Sequence, residues 1–268
     1  MSAFPCRNLI RFRVVPVVLA VFMLLGLWAA VAAHAPDDTP GEPGRALRSG
    51  MATVAAGAVS AAVGVANPGF HATRAADGYA VANQAQEFAA TLDQNGFLVS
   101  AGATSWGLRL TAIGRGNDLA AAGAATLHAA GNRVEVRRNA LTEWYVNGPL
   151  GLEHGFTLAM PPTSVATGEP VVLALRQQGA PSASVTDGGR SLRIAPAGGS
   201  VLHYAGLVAY DARGVELPAS MSVDAAGTVR IEVDDGGAHY PLTIDPLIQH
   251  TKLTAPSPVA DDFMGVGR

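Results

Sequence analysis

Apolar and polar residues alternate with period two along much of this chain, the spacing of strands that bury one face. Near the far end Tyr240, Leu242 and Ile244 alternate with Pro241, Thr243 and Asp245, which predicts a last strand. Pro246 has no amide hydrogen and pushes Asp245 toward extended geometry, so the reading ends the strand there and takes the chain on as a spacer. Upstream, Val229, Ile231 and Val233 oppose Arg230, Glu232 and Asp234, and Asp235-Gly236 is predicted to fold that strand back onto Tyr240, Leu242 and Ile244 as a hairpin. Trp106, Leu108, Leu110 and Ala112 share one face of another predicted strand. Further strands are predicted at 97–99, 134–137, 142–146, 155–160, 171–176, 191–194 and 201–210. Two local patterns read differently. Phe88 and Leu92 sit four apart, as on a helical turn. In Glu143-Trp144-Tyr145 alternation buries either the indole or its two neighbours, and Trp144 is expected to take the core.

Asn147-Gly148-Pro149, Pro161-Pro162, Asp187-Gly188-Gly189 and Asp235-Gly236-Gly237 punctuate these runs with turn chemistry. Short strands at such intervals predict a mainly β fold, an antiparallel β-sandwich-like module over residues 82–248. Composition fits: charged residues are 15% of the chain, while glycine (31) and proline (17) are plentiful. The net charge of −3 offers no basic surface, so no nucleic-acid partner is expected.

The amino terminus departs from this rhythm. Arg7, Arg11 and Arg13 precede Val14 to Ala33, which carries no charge and ends in small residues. Positive flank, apolar core and small exit describe a secretory signal peptide over 1–33, with Ala30-Val31-Ala32 and Val31-Ala32-Ala33 as recognition triplets. The alternative is an uncleaved anchor in which residues 14–33 cross the membrane. Either places the body outside the cytoplasm: secreted, periplasmic or on the cell surface. Residues 34–81 read as a linker followed by an Ala/Gly-rich low-complexity segment, with Met51 to Ala66 a spacer or short buried stretch. Residues 249–268 read as a second linker and the start of a further unit. The single cysteine, Cys6, falls in the leader, so neither a disulfide nor a cysteine metal site is expected in the body.

Three stretches carry a resemblance: Glu143-Trp144-Tyr145-Val146-Asn147-Gly148-Pro149-Leu150-Gly151-Leu152-Glu153 with Gly155-Phe156-Thr157, the run Tyr240 to Gln249, and Asp261 to Gly265. Together they resemble the amino-terminal module of bacterial secreted proteins that carry FG-GAP (integrin-alpha-like) repeats. The resemblance covers roughly Ala82 to Asp262 and implies a β-rich module placed before a repeat array whose first repeat opens with aspartate and Phe-Gly. Here Met264 separates Phe263 from Gly265. The sequence is accordingly read as a product truncated at the first repeat, and no calcium site is carried over from the family.

Candidate chemistry is sparse. The seven histidines, His34, His71, His128, His154, His203, His239 and His250, show no metal-ligand spacing and read as surface or packing residues. Asp234 and Asp235 lack the alternating acids of a calcium loop and read as a turn. No G-x-S-x-G elbow, cysteine nucleophile or phosphate-cradling loop occurs. The expectation is therefore no catalytic, cofactor or metal residues. It is a non-catalytic exported accessory module, structural or adhesive, whose partner is an extracellular protein or polysaccharide. The alternative is a secreted hydrolase or carbohydrate-binding domain, which clustered, burial-shifted carboxylates in a cleft would favour.

Overall fold

The computed structural model describes residues 43–163, 168–179, 183–195 and 200–250. The predicted leader, the spacer after Thr251 and the Asp261–Gly265 motif lie outside them. Contacts divide the chain after Arg45, and the architecture described here is that of the second unit, Ala46–Arg268.

A helix, α1 (Pro43–Ala66), leads into two antiparallel sheets arranged as a sandwich. The chain visits each sheet three times. β1 (Thr73–Ala75), β2 (Gly78–Asn83), β3 (Phe88–Leu92), β4 (Gly96–Ala101), β5 (Thr104–Arg115) and β6 (Asp118–Ala121) begin the first sheet. β7 (Thr126–Ala130), β8 (Arg133–Arg138), β9 (Leu141–Gly148) and β10 (Gly151–Leu158) form a meander in the second. β11 (Val171–Gly179) returns to the first, and β12 (Ala183–Thr186), β13 (Ser191–Ile194) and β14 (Leu202–Tyr210) extend the second. β15 (Ala219–Val223) and β16 (Thr228–Val233) complete the first sheet, and β17 (Leu242–Gln249) closes the second from its middle, between β14 and β10.

The core lies between the sheets and is filled by the alternating positions. Trp106, Leu108 and Leu110 of β5, Leu173 and Leu175 of β11 and Val229, Ile231 and Val233 of β16 meet Leu152 and Phe156 of β10 and Leu242, Ile244 and Ile248 of β17. Each such side chain taken out of water contributes about 1.5–3 kcal/mol. β13 and β16 fall close to their predicted bounds, because their patterns are unambiguous.

Four expectations need correction. β16 and β17 are not a hairpin: β16 pairs with β15 and β11, β17 with β10 and β14, so the Asp235-Gly236 turn carries the chain from one sheet to the other. Two alternating runs joined by a turn fit opposite walls of a sandwich as well as neighbours in one sheet.

Pro246 does not end its strand. The β14 ladder jumps from Ala205 opposite Leu247 to Val208 opposite Asp245, leaving Gly206 and Leu207 across from the proline. This bulge, opened by Gly206 at φ 73°, accommodates a residue that cannot donate to a ladder. The Leu207 amide, released from the ladder, donates instead to the Arg190 carbonyl at 3.1 Å.

Phe88 and Leu92 stand in strand β3, where the period is two: Phe88, Ala90 and Leu92 are buried and Ala89 and Thr91 exposed. Met51 to Ala66 belongs to α1.

From Ala55 onward α1 meets the second sheet through Gly57, Ser60, Ala61 and Gly64, the i, i+3, i+4, i+7 stripe of one helical face. The approach is close because both sides are small. A Cβ on Gly64 would collide with the Asn147 carbonyl, one on Gly57 with a Glu153 carboxylate oxygen, and one on Gly148 with the backbone of Ser60. Ser60 Oγ accepts from the Leu150 amide at 3.1 Å, and Asn132 Nδ2 donates to the Ala61 carbonyl at 3.1 Å. Beyond the helix Asn67 caps a single 3-10 turn, and the buried Phe70 pins the junction with β1. Among the described residues no helix is long and apolar enough to cross a membrane, and residues 14–33 lie outside them.

Because the Gly64 seam closes on backbone, Gly64→Ala is expected to cost about 1–3 kcal/mol of docking free energy. Hydrogen exchange should show Ala55–Ala66 losing protection while the β10 amides keep theirs.

Candidate functional site

Three polar constellations arise where strands bring together residues far apart in sequence. The first is sealed in the core. On β9 the odd positions face inward, so Glu143 and Tyr145 enter the interior, joined by His154 from β10, Tyr204 from β14 and Arg138 from β8. The glutamate is fully buried, as are Tyr145, His154 and Tyr204. Arg138 Nη1 donates to Glu143 Oε2 at 2.8 Å, and the Tyr145 hydroxyl (2.5 Å) and His154 Nε2 (3.0 Å) both reach Oε1. A carboxylate only accepts, so Nε2 carries a proton toward Glu143, and Nδ1 and the Tyr204 hydroxyl share a hydrogen bond of 2.9 Å. Arg138 Nη2 also donates to the Gln94 carbonyl of the β3–β4 loop at 2.6 Å.

Burial alone would raise the Glu143 carboxyl, but hydrogen bonding from His154, the charges around it and Tyr145 outweigh that and hold it below the usual carboxylate range. Burial and the Glu143 charge push the Tyr145 and Tyr204 phenols well up. Hydroxyl, imidazole and carboxylate in a row is the order of a nucleophilic relay. Here Phe97 packs on Tyr145, Tyr204 and His154, and Phe156 on His154, so a substrate has no approach. The groups of the row are bonded to one another.

This corrects the expected burial of Trp144 in the core. Its indole lies on the outer face, yet it is only 8% exposed. The ring rests on Gly155, where a Cβ would collide with it, under the Arg133 guanidinium at 4.9 Å, and its N–H donates to Thr157 Oγ1 at 3.2 Å. No open stacking face is left for a sugar.

The second constellation is a set of amides at the end of the sandwich. Asn147 Nδ2 donates to the Phe70 (3.1 Å) and Ala82 (2.8 Å) carbonyls. Asn83 Nδ2 donates to Asn147 Oδ1 and the Gly148 carbonyl, both at 2.8 Å, and Asn132 Nδ2 to the Asn147 carbonyl at 2.8 Å. These amides tie β2, the β7–β8 turn, β9 and α1 together. The Asn-Gly-Pro segment was legible as a turn; its side-chain role was not.

The third is a pair of acids on the outer face of the second sheet. Leu152 and His154 point inward on β10 and Ile244 on β17, so Glu153 and Asp245 point out, and α1 meets Glu153 at Gly57. Among the described residues neither carboxylate has a hydrogen-bond or ion-pair partner. Burial, then the Glu153 charge, lift Asp245 to about 7, with Arg133 opposing. Burial likewise raises Glu153 against Arg133. Sequence reading passed over both as the polar half of a strand pattern.

No family model, curated protein or solved structure matches the chain. Function therefore rests on these three arrangements and on the remaining sequence candidates. Asp235 is taken up by Arg115, which binds both its oxygens at 2.8 and 2.6 Å, and by the Tyr240 hydroxyl at 2.7 Å; Asp234 Oδ1 accepts from the Gly236 amide at 3.0 Å. The pair thus serves the crossover turn. His71 bonds the Val65 carbonyl at 3.0 Å and His250 the Gln86 carbonyl at 2.8 Å, while His239 stands 3.9 Å from Asp211. His128 lies on β7, His203 on β14, and His34 outside the described residues. Among the described residues no three histidine, cysteine or acidic side chains gather as metal ligands.

Glu143→Gln should destabilise the fold by about 3–5 kcal/mol, since it leaves the Arg138 charge buried without its counter-ion. Urea unfolding measures this. Because Glu143 titrates below its ordinary 4.5 in the fold, the native protein binds fewer protons than the unfolded chain near that pH. Its contribution is full above pH 4.5 and is lost as the pH falls further, and this acid limb should be absent in Glu143→Gln.

Proposed function

We propose that the chain is an exported, non-catalytic accessory module, structural or adhesive, that presents sheet faces and loops to an extracellular protein or polysaccharide. One observation carries the reading: the richest gathering of reactive side chains, around Glu143, is buried and spends its groups on one another. A relay without an approach supports a scaffold. Export rests on the Arg-flanked apolar run and its small-residue exit. The link to FG-GAP surface proteins rests on the 143–157, 240–249 and 261–265 stretches, and belongs to the same proposal.

A second reading, a secreted hydrolase, draws on Glu153 and Asp245, whose environments push two adjacent carboxyls upward as an acid–base pair requires. Against it, Glu153 lies against the α1 backbone at Gly57 rather than in a cleft.

Two measurements test the proposal. The amino terminus of protein recovered outside the cytoplasm should begin after Ala32 or Ala33, or be intact in the membrane fraction; intact protein confined to the cytosol would end the export reading. Turnover of glycoside and ester substrates should be equal in the native chain and in a Glu153→Gln/Asp245→Asn variant; activity lost in that variant would favour the hydrolase.

A further inference from the structure

The outermost strands of the sandwich are protected to different degrees. In the first sheet β1 is three residues long and carries Arg74, and β6, beside the main path, starts at Asp118. At the other flank β15 and β12 pack on each other and on the 3-10 turn Asp187–Gly189. β7 differs. It ends the second sheet with five residues, Thr126–Ala130, that hold no proline, bulge or permanent charge, the devices that normally blunt an edge. The run leading into it, Leu119 to Ala125, is uncharged too.

The open backbone groups follow from register. The Asn147 amide donates to the Asn132 carbonyl at 2.9 Å, so the even residues of β8, Val134 and Val136, bond β9. Arg133, Glu135 and Arg137 therefore bond β7, through Ala130, His128 and Thr126. The amides and carbonyls of Leu127 and Ala129 point the other way, into the edge. One position further on, the edge is in use: the Ala72 amide donates to the Gly131 carbonyl at 2.8 Å, and β1 then turns aside to pair with β2. Among the described residues no hydrogen bond reaches the open groups of Leu127 and Ala129. Their side chains pack toward the core beside Val136 and Val134, while Thr126, His128 and Ala130 lie on the exposed outer face.

We propose that the β7 edge is a pairing surface for a second copy of this chain: two β7 strands align antiparallel about a two-fold axis at His128 and join the two second sheets into one. Amide donors and carbonyl acceptors at period two call for an extended strand. β7 is its own complement. Because it is centred on His128, a two-fold there uses its whole length, and Leu127 lies opposite the partner's Ala129, a pair that exchanges both its hydrogen bonds. A large side chain thus meets a small one on the inner face, and the apolar layer continues across the seam. No permanent charge on the strand repels its copy. The chain's own flanks are poorly made to take this place: Pro36, Pro40 and Pro43 interrupt one side and Pro256 and Pro258 the other, and a proline has no amide for a ladder.

Cysteine trapping reads the register directly. In a Cys6→Ser background His128→Cys should form a covalent dimer under dissolved oxygen, reversed by a thiol reductant, since a non-hydrogen-bonded antiparallel pair brings its Cα atoms to about 4.5 Å, within disulfide range. Thr126→Cys, opposite the partner's Ala130 and roughly 13 Å from its own copy, should stay uncrosslinked. Sedimentation of the purified full chain should show a dimer. Ala129→Pro, which removes an amide that the single copy leaves unused, should be a monomer with unchanged circular dichroism. A native chain that sediments as a monomer, a dimer that persists in a folded Ala129→Pro, or cross-linking that is absent at 128 or equal at 126 and 128 would overturn the proposal. Should Ala129→Pro not fold, the cysteine pair decides alone.

Discussion

A carboxylate with no access to water, placed between two sheets, constrains this structure more than any other single group. An isolated buried charge costs several kcal/mol, so Glu143 is tolerable only with every partner in place. Arg138, Tyr145 and His154 bind it directly and Tyr204 through the imidazole. Those residues stand on β8, β9, β10 and β14, while β17, between β10 and β14, contributes packing. Arg138 also reaches across to the Gln94 carbonyl in the β3–β4 loop at the edge of the other sheet's strands. A slip of β9 by one residue would turn Glu143 outward and drive Trp144 into the core, breaking every bond to the carboxylate at once. The network therefore fixes register within the second sheet and the stagger between the two.

The rest of the sandwich is compatible with that requirement. The amides of Asn83, Asn132 and Asn147 close the end where β9 turns into β10, and the Arg115–Asp235–Tyr240 cluster holds the crossover from β16 to β17. Pro246 lies in a central strand because the β14 bulge removes the demand for its missing hydrogen. Each is a polar solution to a backbone problem made by the topology.

What the sequence discloses follows the same division. Strand positions with strict alternation, Leu110 or Ile231 for example, could be read directly, because period and burial agree. The mainly β sandwich follows from many such segments. The partner of each strand could not be read: Val229–Val233 and Leu242–Ile244 look like hairpin arms although they line opposite walls. Trp144 misled because size and apolarity argued for the core, while the decisive term was three partners waiting for Glu143 at distances of 2, 5 and 11 residues. His154, read as a packing residue, does pack, but its hydrogen-bond partners become visible only once β9, β10 and β14 are aligned. Phe88–Leu92 was ambiguous in a five-residue window, where periods of two and four coincide.

The two glutamates of adjacent strands show why the face matters more than the residue type. Glu143, turned inward, is surrounded by donors and prefers its charge; Glu153, turned outward beneath Gly57, meets a helix that donates nothing and resists it. Opposite pH responses thus reside within one sheet. They need not be felt equally by the whole molecule. Opening the core would expose the apolar side chains of both sheets together, whereas raising α1 from Ala55 onward exposes glycine, alanine and serine and breaks few hydrogen bonds. The lowest-energy opening is therefore expected at the helix, where apolar contact is thinnest, and the sandwich remains intact beneath it.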